Sequence, residues 1–315
     1  MWHLLTLDDI TPAELDRLYA QALTLKRARA TGVAATSALA GKTVALLFEK
    51  PSLRTRVSFE VAARELGGAS LYLSPQEVGL GARETIGDVA RVLSTYVHAV
   101  VVRTFHHARV EELARHASIP VINGLTDAHH PCQGLTDVFT VGEHFGATGG
   151  RTLAYLGDGN NVAHSLLQAA VGAGLHIRIA TPAGYEPDPA VVAAARCAAR
   201  DTGASVSLLR DPIEAAAGAD VLYTDVWTSM GQEDEAAQRR ATFAPYQVNA
   251  ALLAHAASHA IVLHPLPAHR GEEITDDVLD GPQSLVFVQA ENRLHVQKAI
   301  LRTLLAADAR VSLSA

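Results

Sequence analysis

The sequence predicts an α/β protein of two doubly wound domains, each a parallel sheet flanked by helices, with a cleft between them. Three observations predict it. Short apolar runs alternate with amphipathic helical stretches along all 315 residues. The alternation restarts after a glycine-rich break at 146–150, which sets domains at 1–146 and 147–291. Apolar residues make up 49% and charged residues 19%, enough for two buried cores in a chain of this length.

Residues 7–30 read as the first helix. Thr11-Pro12 opens it, Glu14 and Asp16 lie early, and Lys26, Arg27 and Arg29 lie late, an order that suits the helix dipole. A strand at 43–48 runs into a helix at 55–66 that stops at Gly67-Gly68, and a short strand at 71–73 follows. Residues 74–83, SPQEVGLGAR, have no period and read as a loop that moves or reaches a neighbouring subunit. Helix 84–96, strand 98–103, helix 110–116, strand 120–122, a polar loop at 123–133 and helix 135–145 complete the first half. The second half reads as strand 152–156, helix 162–173, strand 176–180, helix 189–199, and strands 220–224, 261–264 and 285–289. A long helix runs from 292 onward. The unusual loops at 48–56, 103–104, 123–133, 157–161, 225–231 and 264–271 all follow strands, where doubly wound sheets place their ligands.

The formal net charge of −7 argues against nonspecific nucleic-acid or membrane-surface binding. Two cysteines, Cys132 and Cys197, make no CxxC pair, so neither a disulfide framework nor a thiolate zinc site is expected. The N-terminus lacks a secretory pattern, and no apolar run reaches the length of a membrane span. The expectation is a cytoplasmic protein with no nucleic-acid or membrane partner.

The segment 52–56, Ser52-Leu53-Arg54-Thr55-Arg56, stands where a buried strand meets a helix. Ser52 is a capping residue. A helix start offers free N–H groups and the positive end of the dipole, and two arginines and two hydroxyls there make a pocket for a small dianion, phosphate foremost. Arg103 ends a second strand. In HPCQ, His130 and Gln133 can both donate to a carbonyl oxygen, which adds donors for a developing oxyanion.

Gly157 and Gly159 open a dinucleotide-like turn. The third glycine is absent and no acidic residue ends the next strand, so no nicotinamide cofactor is expected. Asn160 and Asn161 suit either recognition of a carboxylate or amine, or plain capping. Asp225, in DVWTSMG, either holds an ammonium group or is an exposed carboxylate in a glycine-ended turn. His264-Pro265-Leu266-Pro267 either aims carbonyls at a ligand or is a rigid connector, with a cis bond allowed. The fifteen histidines are scattered, and His269 with Glu272 and Glu273 reads as a surface turn, so no metal is expected.

SLRTR at 52–56, HPCQ at 130–133, GDGNN at 157–161, DVWTSMG at 225–231, HPLPAHRGEEI at 264–274 and ENR at 291–293 stand in the order of the aspartate/ornithine carbamoyltransferase family, which the chain resembles nearly end to end. The SMG segment is similar to the ornithine branch. The resemblance implies a homotrimer, or an assembly of trimers, of two-domain subunits. The first domain would bind carbamoyl phosphate and the second the amino acid, with 292–315 packing back on the first. The implied reaction is carbamoyl phosphate plus L-ornithine giving L-citrulline and phosphate, a step of arginine biosynthesis needing no metal or organic cofactor.

By the same resemblance, Ser52, Leu53, Arg54, Thr55, Gln76, Arg103, His130, Gln133 and Arg293 bind carbamoyl phosphate. Asn161, Asp225, Ser229, Met230, Pro265 and Leu266 contact ornithine. Thr55, Arg103 and His130 would stabilise the oxyanion, and Asp225 would position the amine. Pro265 stands where the ornithine branch usually has cysteine and reads as in the aspartate branch. Gly79 replaces a polar side chain of many relatives, which leaves Gln76 for a contact from an adjacent subunit. Transfer to aspartate, putrescine or N-acylornithine, and a noncatalytic carbamoyl-phosphate-binding paralogue, stay open as alternatives.

Overall fold

The computed structural model describes residues 3–8, 10–32, 37–81, 83–229 and 231–305. The chain forms two compact units, one of the residues up to Cys132 with those from Asn292 onward, the other Gln133–Glu291.

The first unit runs α1 (Pro12–Ala30), β1 (Thr43–Phe48), α2 (Leu53–Glu65), β2 (Ala69–Leu73), α3 (Pro75–Val78), α4 (Ile86–Tyr96), β3 (Ala99–Arg103), α5 (His107–His116) and β4 (Val121–Leu125). The strands are parallel in the order β2-β1-β3-β4. Helical crossovers make such a sheet and cover its faces, which is why its strands are apolar runs. β3 is buried throughout, so the charged Arg103 at its end is the exception. The strand order reverses between β1 and β3, and the turns leaving those two strands carry Ser52 and Thr104.

Helix α6 (Pro131–Phe145) leads into the second unit, which continues with β5 (Thr152–Leu156), α7 (Asn161–Gly172), β6 (His176–Ala180), α8 (Pro189–Thr202), β7 (Val206–Leu209), α9 (Pro212–Ala216), β8 (Val221–Thr224), α10 (Ala236–Phe243), α11 (Ala250–Leu253), β9 (Ile261–Leu263) and α12 (Asp276–Leu279). Its parallel sheet has the order β7-β6-β5-β8-β9. The reversal falls between β5 and β8, so GDGNN and DVWTSMG leave the strands on either side of it. Helix α13 (Val286–Leu305) ends the described chain.

Several boundaries differ from those expected. Helix α1 starts at Pro12, not residue 7, because Thr11 and Glu14 close a capping box. Leu4 instead pairs with β4, donating to Val121 O at 2.9 Å and accepting from Asn123 N at 2.7 Å. The expected strand at 285–289 is the first turn of α13, and only Ser284 bridges to Val262. Its β-branched run mimics a strand, but the apolar pattern continues for twenty residues as a helix. Strand β7 and helix α9 escaped the sequence reading; β7 is a half-buried edge strand without an apolar run. The 74–83 loop contains α3, closed by Gly79 in the left-handed region at φ 55°.

Gly159 has a packing reason rather than a nucleotide one. A Cβ there would lie 2.2 Å from Pro187 N and 2.5 Å from Glu186 C, so GDGNN passes directly against that backbone. Gly159→Ala is expected to destabilise the fold by about 1–3 kcal/mol, through displaced backbone. Thermal unfolding checks this, and an unchanged midpoint would show that the 186–187 segment yields freely.

Candidate active site

Each unit holds its own cluster. In the first, Ser52 caps α2 and accepts from Thr55 N at 3.3 Å. Leu53 follows as the first helical residue and is 75% exposed. Thr55 is fully buried, and its Oγ1 accepts from Arg293 Nη2 at 2.8 Å. A hydroxyl that accepts from a guanidinium keeps its own proton to donate. Arg293 sits on α13, the same helix that pairs Lys298 with Glu65 and whose Asn292 accepts from Lys26 Nζ at 2.7 Å.

Arg103, 7% exposed, has its pKa pushed down to about 9, by burial first and then by the charges of Arg293 and Arg54. Burial also lowers Arg54. Among the described residues no carboxylate offsets Arg103 or Arg54. Arg103 Nε is buried without a hydrogen-bond partner. His130 is buried, and its pKa is held well below the ordinary value by burial and then by Arg293 and Arg103. The group is therefore a positively charged cluster with a neutral imidazole and a hydroxyl donor beside it, an arrangement suited to a dianion. Gln76 lies exposed on α3.

In the second unit Asp225 is buried at the end of β8. Its Oδ2 accepts from Asn160 Nδ2 at 2.9 Å and its Oδ1 from Val226 N at 2.8 Å. Burial raises its pKa, while His264, Asn160 and Val226 moderate the rise. Sequence reasoning offered Asn160 as a contact for a carboxylate or amine or as a plain cap. Its Oδ1 does cap α7, and the same amide reaches Asp225 with its nitrogen. A capping asparagine has an unused NH₂ end, which is the signal that finds it. Asn161 is the first residue of α7 and half-buried. Ser229 is half-buried, and its N–H donates to Gln232 Oε1 at 3.1 Å. Met230 lies outside the described residues.

Two more residues escaped the sequence reading. Arg239 donates from Nε to Trp227 O at 2.5 Å and pairs with Asp158, tying the DVWTSMG loop to GDGNN. Burial pushes Asp158 up to about 6 against the pull of Arg239.

Pro265 is buried and Leu266 half-buried, with φ 55° and a cis Leu266–Pro267 bond. The strained Leu266 is held by its N–H donating to His264 Nδ1 at 2.9 Å, so His264 Nε2 carries a proton toward Glu273 Oε1 at 3.0 Å. Glu273 is fully buried, unlike the surface turn expected for it. It groups with His269 and Glu272, three potential ligand atoms within 4.8 Å of one another. Its Oε1 is already engaged by His264 and by His269 N at 2.6 Å.

Gln133 Nε2 donates to Asp137 Oδ1 at 2.7 Å, which uses one of the two N–H groups of the amide.

Fold and clusters define a two-domain, doubly wound α/β protein with a positively charged cluster in one unit and a buried carboxylate in the other. Residues 2–143 match the family described as aspartate/ornithine carbamoyltransferase, carbamoyl-P binding domain, and residues 149–304 match its Asp/Orn binding domain. The chain is 54% identical over 301 residues to an ornithine carbamoyltransferase of Anoxybacillus flavithermus, covering 96% of each, and 56% identical over 303 residues to that of Acidothermus cellulolyticus, again 96% of each. The solved ornithine carbamoyltransferase of Pyrococcus furiosus superposes with a TM-score of 0.94 at 51% identity, covering 96% of each chain. The chain belongs to the aspartate/ornithine carbamoyltransferase family.

The depressed pKa of His130 has a direct consequence. A histidine whose folded value lies well below 6.5 stays neutral as the pH falls from 8 to 6. The His130 ring nitrogens, followed by NMR in the free protein, are expected not to titrate over that range, and adding phosphate is expected to raise the pKa. Titration near the ordinary value would show that neither burial nor the arginines act on the ring as described.

Proposed function

We propose that the chain is an ornithine carbamoyltransferase, converting carbamoyl phosphate and L-ornithine to L-citrulline and phosphate in arginine biosynthesis. The observation that carries the reading is Arg103, its pKa depressed by burial and then by Arg293 of α13 and Arg54 at the start of α2. A phosphate dianion reverses that repulsion, and relatives more than half identical over nearly the whole chain carry the same name.

The mechanism follows from the groups. Arg54, Arg103 and Arg293, with Ser52 and the N–H groups of the α2 start including Leu53, take the phosphate. Thr55 O–H, Arg103 and His130 N–H donate to the carbonyl oxygen, and Gln133 serves the same ligand. The side-chain ammonium of ornithine pairs with Asp225, with Asn161, Ser229, Met230 and the carbonyls of Pro265 and Leu266 around the amino acid. The ammonium gives one proton to solvent, and the amine lone pair attacks the carbonyl carbon. The oxyanion forms and collapses, the bond from carbon to the phosphate oxygen breaks, and phosphate leaves with that electron pair and accepts the second proton from the attacking nitrogen.

The proposal includes a cytoplasmic homotrimer. Support comes from the free thiols of Cys132 and Cys197 and from exposed apolar side chains, Leu53 and Val57 on α2 and Leu71 on the edge strand β2. Gln76 is the residue proposed to reach a neighbouring subunit. No described helix is long and apolar enough to cross a membrane.

Purified protein with carbamoyl phosphate and a panel of amines is expected to form ureido product from ornithine in preference to aspartate, putrescine or N-acetylornithine. Product from aspartate in place of ornithine would overturn the reading. Arg103→Ala is expected to raise KM for carbamoyl phosphate about ten- to a hundredfold, from lost charge-assisted bonds. Asp225→Asn is expected to lower kcat/KM for ornithine by about 30-fold or more. Normal turnover in that variant would remove Asp225 from the amine site.

A further inference from the structure

We infer that Glu49 is a positioning residue for the phosphate group, its carboxylate clipping the turn that carries Ser52, Arg54 and Thr55 to the turn that follows Arg103. The inference rests on the proposed binding of carbamoyl phosphate. The two turns leave neighbouring parallel strands, β1 and β3, whose last residues Phe48 and Arg103 are paired in register. One backbone bond follows, Glu49 N donating to Arg103 O at 2.7 Å. Beyond it, side chains join the turns. Glu49 Oε2 accepts from the hydroxyl of the fully buried Thr104. Glu49 Oε1 accepts from Arg109 Nη1 on α5 at 2.7 Å. Lys50 Nζ lies 4.5 Å from the centre of the Phe105 ring, a third contact between the same two turns.

These turns carry like charges. Burial is the larger cause of the low Arg103 pKa, and Arg293 and Arg54 add repulsion to it. A carboxylate inside the cluster would relieve that repulsion, but it would also occupy the donors that a dianion needs. Glu49 avoids this. Its oxygens are engaged by Thr104 and Arg109, and among the described residues no carboxylate acts on Arg103. The clip thus opposes separation of the turns and leaves the charge of the cluster to the ligand. Pro51, with its fixed φ, stands between Glu49 and Ser52, so the position set at Glu49 passes to the helix start with little slack. Donors held ready in this way spare binding the work of drawing two positive turns together. In the sequence Glu49 is merely the residue after a strand, because its partner Arg109 lies 60 residues further on.

The test measures binding of inorganic phosphate to the purified protein by calorimetry, and KM for carbamoyl phosphate beside it. Glu49→Gln keeps the side-chain size but loses the charge and one acceptor oxygen. Its dissociation constant for phosphate and its KM for carbamoyl phosphate are expected to rise about tenfold, with kcat within about twofold of wild type. Arg109→Met leaves the Thr104 bond and is expected to lose about three- to fivefold in phosphate affinity, while Arg109→Lys, which keeps a cation for Glu49, stays within about twofold. The Arg109 pair carries the test if Glu49→Gln does not fold. A merely structural role would lower the thermal midpoint of Glu49→Gln and Arg109→Met and leave the phosphate affinity of the folded protein unchanged, and that result overturns the inference. So does an equal loss in Arg109→Met and Arg109→Lys. The phosphate measurement needs no turnover, so a wild-type protein that binds phosphate but forms no citrulline would overturn the proposed function and not the role of Glu49.

Discussion

Burial of Arg103, with repulsion from Arg293 and Arg54 added to it, is the constraint that the first unit is built to hold. A fall of the Arg103 pKa from 12.5 to about 9 corresponds to on the order of 5 kcal/mol of differential interaction between its protonation states, desolvation being the largest part. Among the described residues no carboxylate offsets that cost, so the surrounding fold must hold the arginines in place. Strand β3 fixes Arg103 in the sheet. The Ser52 cap fixes the helix start that carries Arg54. Helix α13 is tied by Lys298 to Glu65 and by Asn292 to Lys26, and it brings Arg293 to Thr55. A dianion converts each repulsion into two attractions, so binding releases what the fold sustains.

The second unit uses the opposite sign with less charge. Asp225 is buried among hydrogen-bond donors that moderate, without cancelling, the cost of its ionisation. The loops that carry it are not left to their own propensities. Arg239 bonds the Trp227 carbonyl and pairs with Asp158, and Asn160 caps a helix with one end of its amide and holds Asp225 with the other. Gly159 allows the close passage against Pro187 that keeps these loops on the sheet.

The fold class was legible because buried parallel strands are short apolar runs and their crossovers are helices, and both signals are local. The SLRTR cap and the strand end at Arg103 were legible for the same reason: each lies within a few residues of its element boundary. What escaped depends on partners distant in sequence. Arg239 meets Asp158 across 81 residues, and Gln289 meets Asp137 across 152. The false strand at 285–289 shows the complementary failure, in which a β-branched run belongs to a helix whose packing overrides propensity.

On the proposed reading, the choice between ornithine and aspartate turns on Asp225 more than on Pro265. Proline contributes neither a side-chain donor nor an N–H, and the Leu266 N–H is spent on His264. What the turn has to offer is carbonyl oxygen, which accepts from an amine and repels a carboxylate. Asp225 adds a formal anion to the same unit. A substrate carboxylate about 4 Å from it would face a penalty of about 4 kcal/mol at an effective dielectric near 20, roughly a thousandfold in binding, whereas an ammonium gains by the same interaction. On that reading the HPLP turn is compatible with a cationic side chain.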